Sequence, residues 1–234
     1  MHAGFYRLSE DLDFAISAPL VLSRSKRSKM ADPLKNAINN LTNELDMFRL
    51  VQPLTGANNS MQYIAVVGYQ SLLGGYEEII KIELGLREPL IMPPVKGNLK
   101  TILLNPVSGN AMMQPFYFQC ISYEEGMAEK FRAALSRREP AIRDFYDIDY
   151  AIRKKNFIPD DVTFLDLVSK KVAVPDNAPV NVTDQHYDSL KKQLDTELKP
   201  VLRGDDYKGF DLERVFKVVR AVADRLENIS SFTI

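Results

Sequence analysis

The chain has 234 residues, 45% of them hydrophobic, which is globular rather than disordered and enough to bury one large core or two modest ones. Thirty Lys and Arg against 31 Asp and Glu leave a formal charge of −1, so no global charge points to nucleic acid or a membrane, and any basic surface is local. One cysteine, Cys120, excludes an intrachain disulfide framework, and with only two histidines beside it a His/Cys metal site is excluded too.

The N-terminal stretch carries Arg7, Glu10, Asp11 and Asp13 instead of a long apolar segment, so it reads as neither signal peptide nor anchor, and the expected location is the cytoplasm. "RLSEDLDFAIS", residues 7 to 17, reads as a strand. Side chains alternate faces along a strand, so Asp11 and Asp13 share one side while Leu12, Phe14 and Ile16 take the other. The result is a small anionic platform backed by core, and a merely solvated strand face would read the same way.

"SRSKRSKMADP" reads as a polar basic loop that offers Arg24, Lys26, Arg27 and Lys29 to a phosphate backbone or simply to solvent. From Pro33, Leu34, Ala37, Ile38, Leu41, Leu45 and Phe48 fall at helical spacing. Residues 61–73 and 76–87 are β-rich runs joined at Gly74-Gly75, the signature of a hairpin. In the second run Ile80, Ile82, Leu84 and Leu86 face one way, and Lys81, Glu83 and Arg87 the other. Glu83 is thus a third acidic candidate on a core-backed strand.

A proline-rich stretch leads through "KTILLN" to "PFYFQCISY", the last expected strand, in which Cys120 reads as a small buried hydrophobe. The periodicity then turns helical. Ser122 followed by Glu125 has the spacing of a capping box, and four further helical stretches follow, from Pro140, Pro159, Thr183 and Asp211. No internal repeat is present, G-x-x-x-x-G-K-S/T is absent, and no zinc finger, RNP motif or helix-turn-helix signature marks a nucleic-acid module. The change in periodicity sets the expected boundary: 1–121 as an α/β domain and 122–234 as a helical domain.

Three stretches taken in order carry a resemblance: "RLSEDLDFAIS", "IKIELGLRE" and "EEGMAEKFRAALSRREPAIRDFYDI". Together they resemble the AbiEii/AbiGii toxin family of nucleotidyltransferases, in which an R-F/L-S-x-D-L/I/V-D-F/L strand, a later acidic strand and an A-E-K…R-D-x-x-D helical region recur. The resemblance spans roughly residues 5 to 155. It implies a nucleotidyltransferase-like α/β (α+β) fold, a mixed sheet flanked by helices and followed by a C-terminal helical bundle. It implies transfer of a nucleoside monophosphate from an NTP to a tRNA or protein hydroxyl, by the toxin of a toxin–antitoxin or phage-defence system with a cognate antitoxin.

The implied chemistry suits the residues. Attack on an α-phosphate develops charge that clustered carboxylates and divalent metal stabilise, and magnesium takes hard oxygen ligands while keeping several waters. On the resemblance, Asp11, Asp13 and Glu83 hold Mg2+ or Mn2+, Glu83 also orients or deprotonates the acceptor hydroxyl, and Asp144 joins them as catalytic. Lys130, Arg143 and Ser9 contact the nucleotide. Asp144 and Asp147 match R-D-x-x-D, with Arg137 nearby; the one-turn spacing of Arg143 and Asp147 equally suits a plain helix ion pair.

The family also carries a Gly-Gly-Thr or Gly-Ser turn about ten residues before its aspartate pair, where backbone amides hold the triphosphate. Here "MHAGFYR" has one Gly and no Ser or Thr, so the expectation is either a longer natural protein or a reduced member. Either would leave a core helix and edge cover to be supplied by a partner or by self-association. Asp-x-Asp also marks glycosyltransferases, but those place it after a sizeable nucleotide-binding half. The remaining alternative is a non-catalytic module of the same fold that binds nucleotide or antitoxin.

Overall fold

A computed structural model describes residues 7, 11–71, 74–99, 101 and 104–231. These fall into two compact units, one of residues 9–90 and one of residues 91–234 joined by Arg7.

The first unit is a four-stranded mixed sheet with one helix. Strand β1 (Asp11–Ala15) is followed by helix α1 (Arg24–Glu44), β2 (Phe48–Ala57), β3 (Gln62–Gln70) and β4 (Glu77–Gly85). Spatial order is β1-β4-β3-β2, with β1 parallel to β4 and the other pairs antiparallel. The expected hairpin is β3–β4, in register from Gln62 opposite Gly85 to Gln70 opposite Glu77, and Gly75 supplies a positive φ of 67° in its connection. Ala65, Val67, Ile82, Leu84 and Leu86 are buried with Ala31 and Ile38 of α1, which fixes the core side of the sheet.

The basic stretch is not a loop. Helix α1 begins at Arg24, capped by the Ser23 hydroxyl accepting from the Lys26 amide at 3.3 Å, and it runs through Pro33. Buried Arg27, Ala31 and Ile38, spaced by four and seven, continue one face across the proline. Packing on that face thus offsets the hydrogen bond that Pro33 cannot donate. Arg27, offered by the sequence to a phosphate backbone, is 5% exposed and donates to the Leu20 carbonyl at 3.1 Å.

Strand β2 has no counterpart in the sequence reading. Pro53 and Gly56 interrupt its pattern, and its register with β3 shifts on both sides of Gln52. It lies at the sheet edge, where a strand tolerates a proline because one row of amides is unpaired.

The second unit opens with a two-stranded antiparallel ribbon, β5 (Val95–Leu99) and β6 (Phe116–Cys120), then helices α2 (Tyr123–Ser136), α3 (Ile142–Lys155), α4 (Val162–Val172), α5 (Asp184–Lys192), α6 (Gly204–Gly209) and α7 (Leu212–Ser231). The helices enclose a core containing Phe131, Phe145, Tyr146, Val168, Leu190 and Phe216. The long stretch from Thr183 is not one helix: α5 ends at Lys192, and tighter and wider turns over 194–201 carry the chain past Pro200. Strands give way to helices between 120 and 123, while the compact units part at 90, because the ribbon clusters with the helices. On that ribbon Phe116, Tyr117 and Phe118 are exposed and Cys120 is half-buried rather than a core residue.

Candidate functional site

The alternation of β1 and β4 gives the first unit one apolar and one polar sheet face. Their parallel register sets Asp11 beside Lys81 and Asp13 beside Glu83, so all four side chains share the face opposite the buried Ile82 and Leu84. Asp13 is exposed and Asp11 half-buried. Glu83 accepts a hydrogen bond of 2.7 Å from the Gln62 amide on β3 and is ion-paired with the Lys81 ammonium. The hydrogen bond to Glu83 raises the Lys81 pKa, partial burial works against the charge, and the charges of Glu83, Asp11 and Asp13 raise it further. A depression on the sheet is lined by Asp11, Leu12, Tyr69, Glu77, Glu78, Ile79 and Ile80; the Tyr69 hydroxyl donates to Glu78 at 2.7 Å, on the side of β4 opposite Lys81 and Glu83.

Among the described residues, no three His, Cys, Asp or Glu side chains are gathered tightly enough to hold a metal ion. The donor type nevertheless suits a hard divalent ion: carboxylate oxygens on register-matched positions of adjacent strands, with the Lys81 ammonium paired to one of them, Glu83, where a cation would sit. Asp11, Asp13 and Glu83 are the residues that could hold Mg2+ or Mn2+.

In the second unit, α2 and α3 build a separate charged cluster. Lys130 on α2 places its ammonium 2.8 Å from Asp147 Oδ2 and 3.4 Å from Asp144 Oδ1. Arg7 donates to both Asp147 oxygens, at 2.8 and 2.9 Å, and Arg137 reaches Asp144 at 3.2 Å. Burial is the largest influence on Lys130 and disfavours its charge, but Asp147 and Asp144 together outweigh it and hold the ammonium's pKa above the ordinary lysine value. Among the described residues, the ion pairs of this cluster join three cations, Arg7, Lys130 and Arg137, to two carboxylates, Asp144 and Asp147. Asp147 pairs with Arg7 and Lys130 rather than with Arg143, which is half-buried on the first turn of α3.

The resemblance gave Asp144 and Lys130 separate parts, the one with the carboxylates and the other with the nucleotide, whereas the two side chains meet at 3.4 Å in the second unit; the parts of Arg7, Gln62 and Lys81 were not read from the sequence. Lys81 was legible as a cation two residues from Glu83 on the same strand face; nothing local could reveal that Arg7 meets a residue 140 positions away. Sequence reasoning also missed Glu125, fully buried and accepting from the Ile91 and Met92 amides at 3.0 and 2.8 Å and from Lys171 at 2.6 Å. Ser9 lies outside the described residues.

A profile of the family described as nucleotidyl transferase AbiEii toxin, type IV toxin–antitoxin system, matches residues 1–219. The chain belongs to the AbiEii nucleotidyltransferase family. Two solved structures are similar to it: a Helicobacter pylori protein described as a candidate nucleotidyltransferase, and JHP933 from Helicobacter pylori. Each is 14% identical with a TM-score of 0.48; both cover 97% of this chain, and this chain covers 83% and 81% of them. No curated protein matches the chain significantly. Membership makes this AbiEii chain a nucleotidyltransferase and the toxin of a pair whose other member is an antitoxin. No described helix is long and apolar enough to cross a membrane.

Proposed function

We propose that this AbiEii-family protein transfers a nucleoside monophosphate from an NTP to a tRNA or protein hydroxyl, with Mg2+ or Mn2+ on Asp11, Asp13 and Glu83. The observation that carries this reading is the register of β1 on β4, which puts three carboxylates on one sheet face in a chain of a nucleotidyltransferase family. A divalent ion held there would supply Lewis-acid stabilisation of the charge that develops on the α-phosphate and the departing diphosphate.

The chain's own residues have the following parts. Asp11 and Asp13 position the ion from a strand whose backbone is fixed by β4. Glu83 orients the acceptor hydroxyl and takes its proton as the hydroxyl oxygen bonds to the α-phosphorus; the bond to the β-phosphate oxygen breaks, and diphosphate leaves with the electron pair. Gln62 fixes the Glu83 carboxylate from β3 through its 2.7 Å hydrogen bond. On the helical unit Lys130 and Arg143 offer cationic groups suited to phosphate, and Asp144 lies 3.4 Å from the Lys130 ammonium.

The cytoplasm is the compartment we assign, since the lone Cys120 needs no oxidising environment. Exposed Leu12 on edge strand β1 and the exposed ribbon aromatics support a covering partner, the antitoxin or a second copy. The reading is tested by incubating the protein with each of four labelled nucleotides, total tRNA and total protein, with Mg2+ or Mn2+ and with EDTA. Label should enter one acceptor class from a preferred nucleotide and vanish with EDTA; no label from any of the four would refute the reading.

A further inference from the structure

Lys81 sits where a purely metal-binding face has no use for it. It lies on the interior strand β4, beside Asp11 across the parallel pairing and two residues before Glu83, so its side chain shares the face of the carboxylates. Its ammonium is ion-paired with Glu83, the proposed third metal ligand. Carboxylates on one sheet face repel one another, and an ammonium on the same face offsets that repulsion. A carboxylate oxygen in contact with an ammonium also cannot enter a metal's coordination shell until that contact breaks, because the ammonium has only donors to offer.

We infer that Lys81 is the resident counter-cation of the acidic face: its ammonium holds Glu83 while no metal is present and must be displaced from Glu83 when a divalent ion binds. Lys81 therefore sets the metal affinity of the face and keeps it lower than the carboxylates alone would give. The long flexible stem of lysine suits this part, since the head can swing away without moving the strand. This inference rests on the proposed metal site.

The test is a Mn2+ titration of the full chain, with free Mn2+ followed by electron paramagnetic resonance in the absence of nucleotide. Lys81→Met should tighten binding roughly two- to fivefold, the range set by a partly exposed ion pair. Lys81→Arg should hold the wild-type affinity, and Lys35→Met, which removes an exposed charge from α1, should also leave it unchanged. Asp11→Ala with Asp13→Ala should abolish the tight site. If Lys81→Met leaves binding unchanged or weakens it, or if Lys35→Met tightens it equally, the counter-cation role is overturned while the metal site stands. If the double aspartate variant binds Mn2+ as the wild type does, the metal site fails and the role of Lys81 with it.

Discussion

Asp147 is fully buried, yet cations satisfy both of its carboxylate oxygens, Arg7 through two nitrogens and Lys130 through one. Asp147→Ala would leave two cations facing a cavity in α3, and we expect a loss of about 2–3 kcal/mol in denaturant unfolding, below the full cost of a dry pair because Arg7 and Lys130 keep some contact with water. His186 gives a pH dependence of a different origin. It is 5% exposed, packs against Phe145 and Phe216, and burial lowers its pKa from 6.5. Below 6.5 the unfolded chain takes up a proton that the folded one refuses, so this contribution to stability is present above 6.5 and lost as pH falls. Thermal unfolding at about pH 7.5 and about pH 5.5 should show a drop that His186→Leu reduces; an undiminished drop would assign it to other groups.

At the scale of elements, the junction of Ser122 and Glu125 separates a helix cap from a tertiary anchor. Ser122 caps α2, accepting from the Glu125 amide at 3.1 Å. The Glu125 side chain does not close the box by reaching back; it holds the Ile91 and Met92 amides and the buried Lys171 instead. Ser122→Ala should therefore cost about 1 kcal/mol, whereas Glu125→Ala should cost about 3 kcal/mol because it leaves two amides unpaired and takes from buried Lys171 the nearer of two carboxylates, with Glu129 remaining at 3.1 Å. Equal losses in urea unfolding would contradict this division. The same junction marks what was legible in advance. Local signals gave the start of α2, the β3–β4 hairpin and the side of β4 that carries Glu83, because caps, glycine turns and alternation act within a few residues. They failed for α1, where packing of Arg27, Ala31 and Ile38 overrides a proline, and for β2, whose pairing partner rather than its own pattern makes it a strand. Of the candidate site, the shared face of Asp11 and Asp13 was readable, whereas the partners of Asp147 and Glu83 are set by tertiary contacts.

For the whole molecule, the family match over residues 1–219 spans both compact units, so the helices after residue 122 belong to the AbiEii protein as much as the sheet does. The sheet unit carries Asp11, Asp13 and Glu83 and the helical unit carries the Lys130 cluster. The central claim is that the Asp11 and Asp13 carboxylates carry the transfer, and the most direct measurement is the initial rate of metal-dependent label transfer by Asp11→Ala/Asp13→Ala, with circular dichroism checking that the sheet is retained. The double variant should keep the wild-type spectrum and fall by at least about 10³-fold in rate, as loss of principal charge stabilisation does elsewhere; a folded double variant that transfers as fast as the wild type would contradict the account.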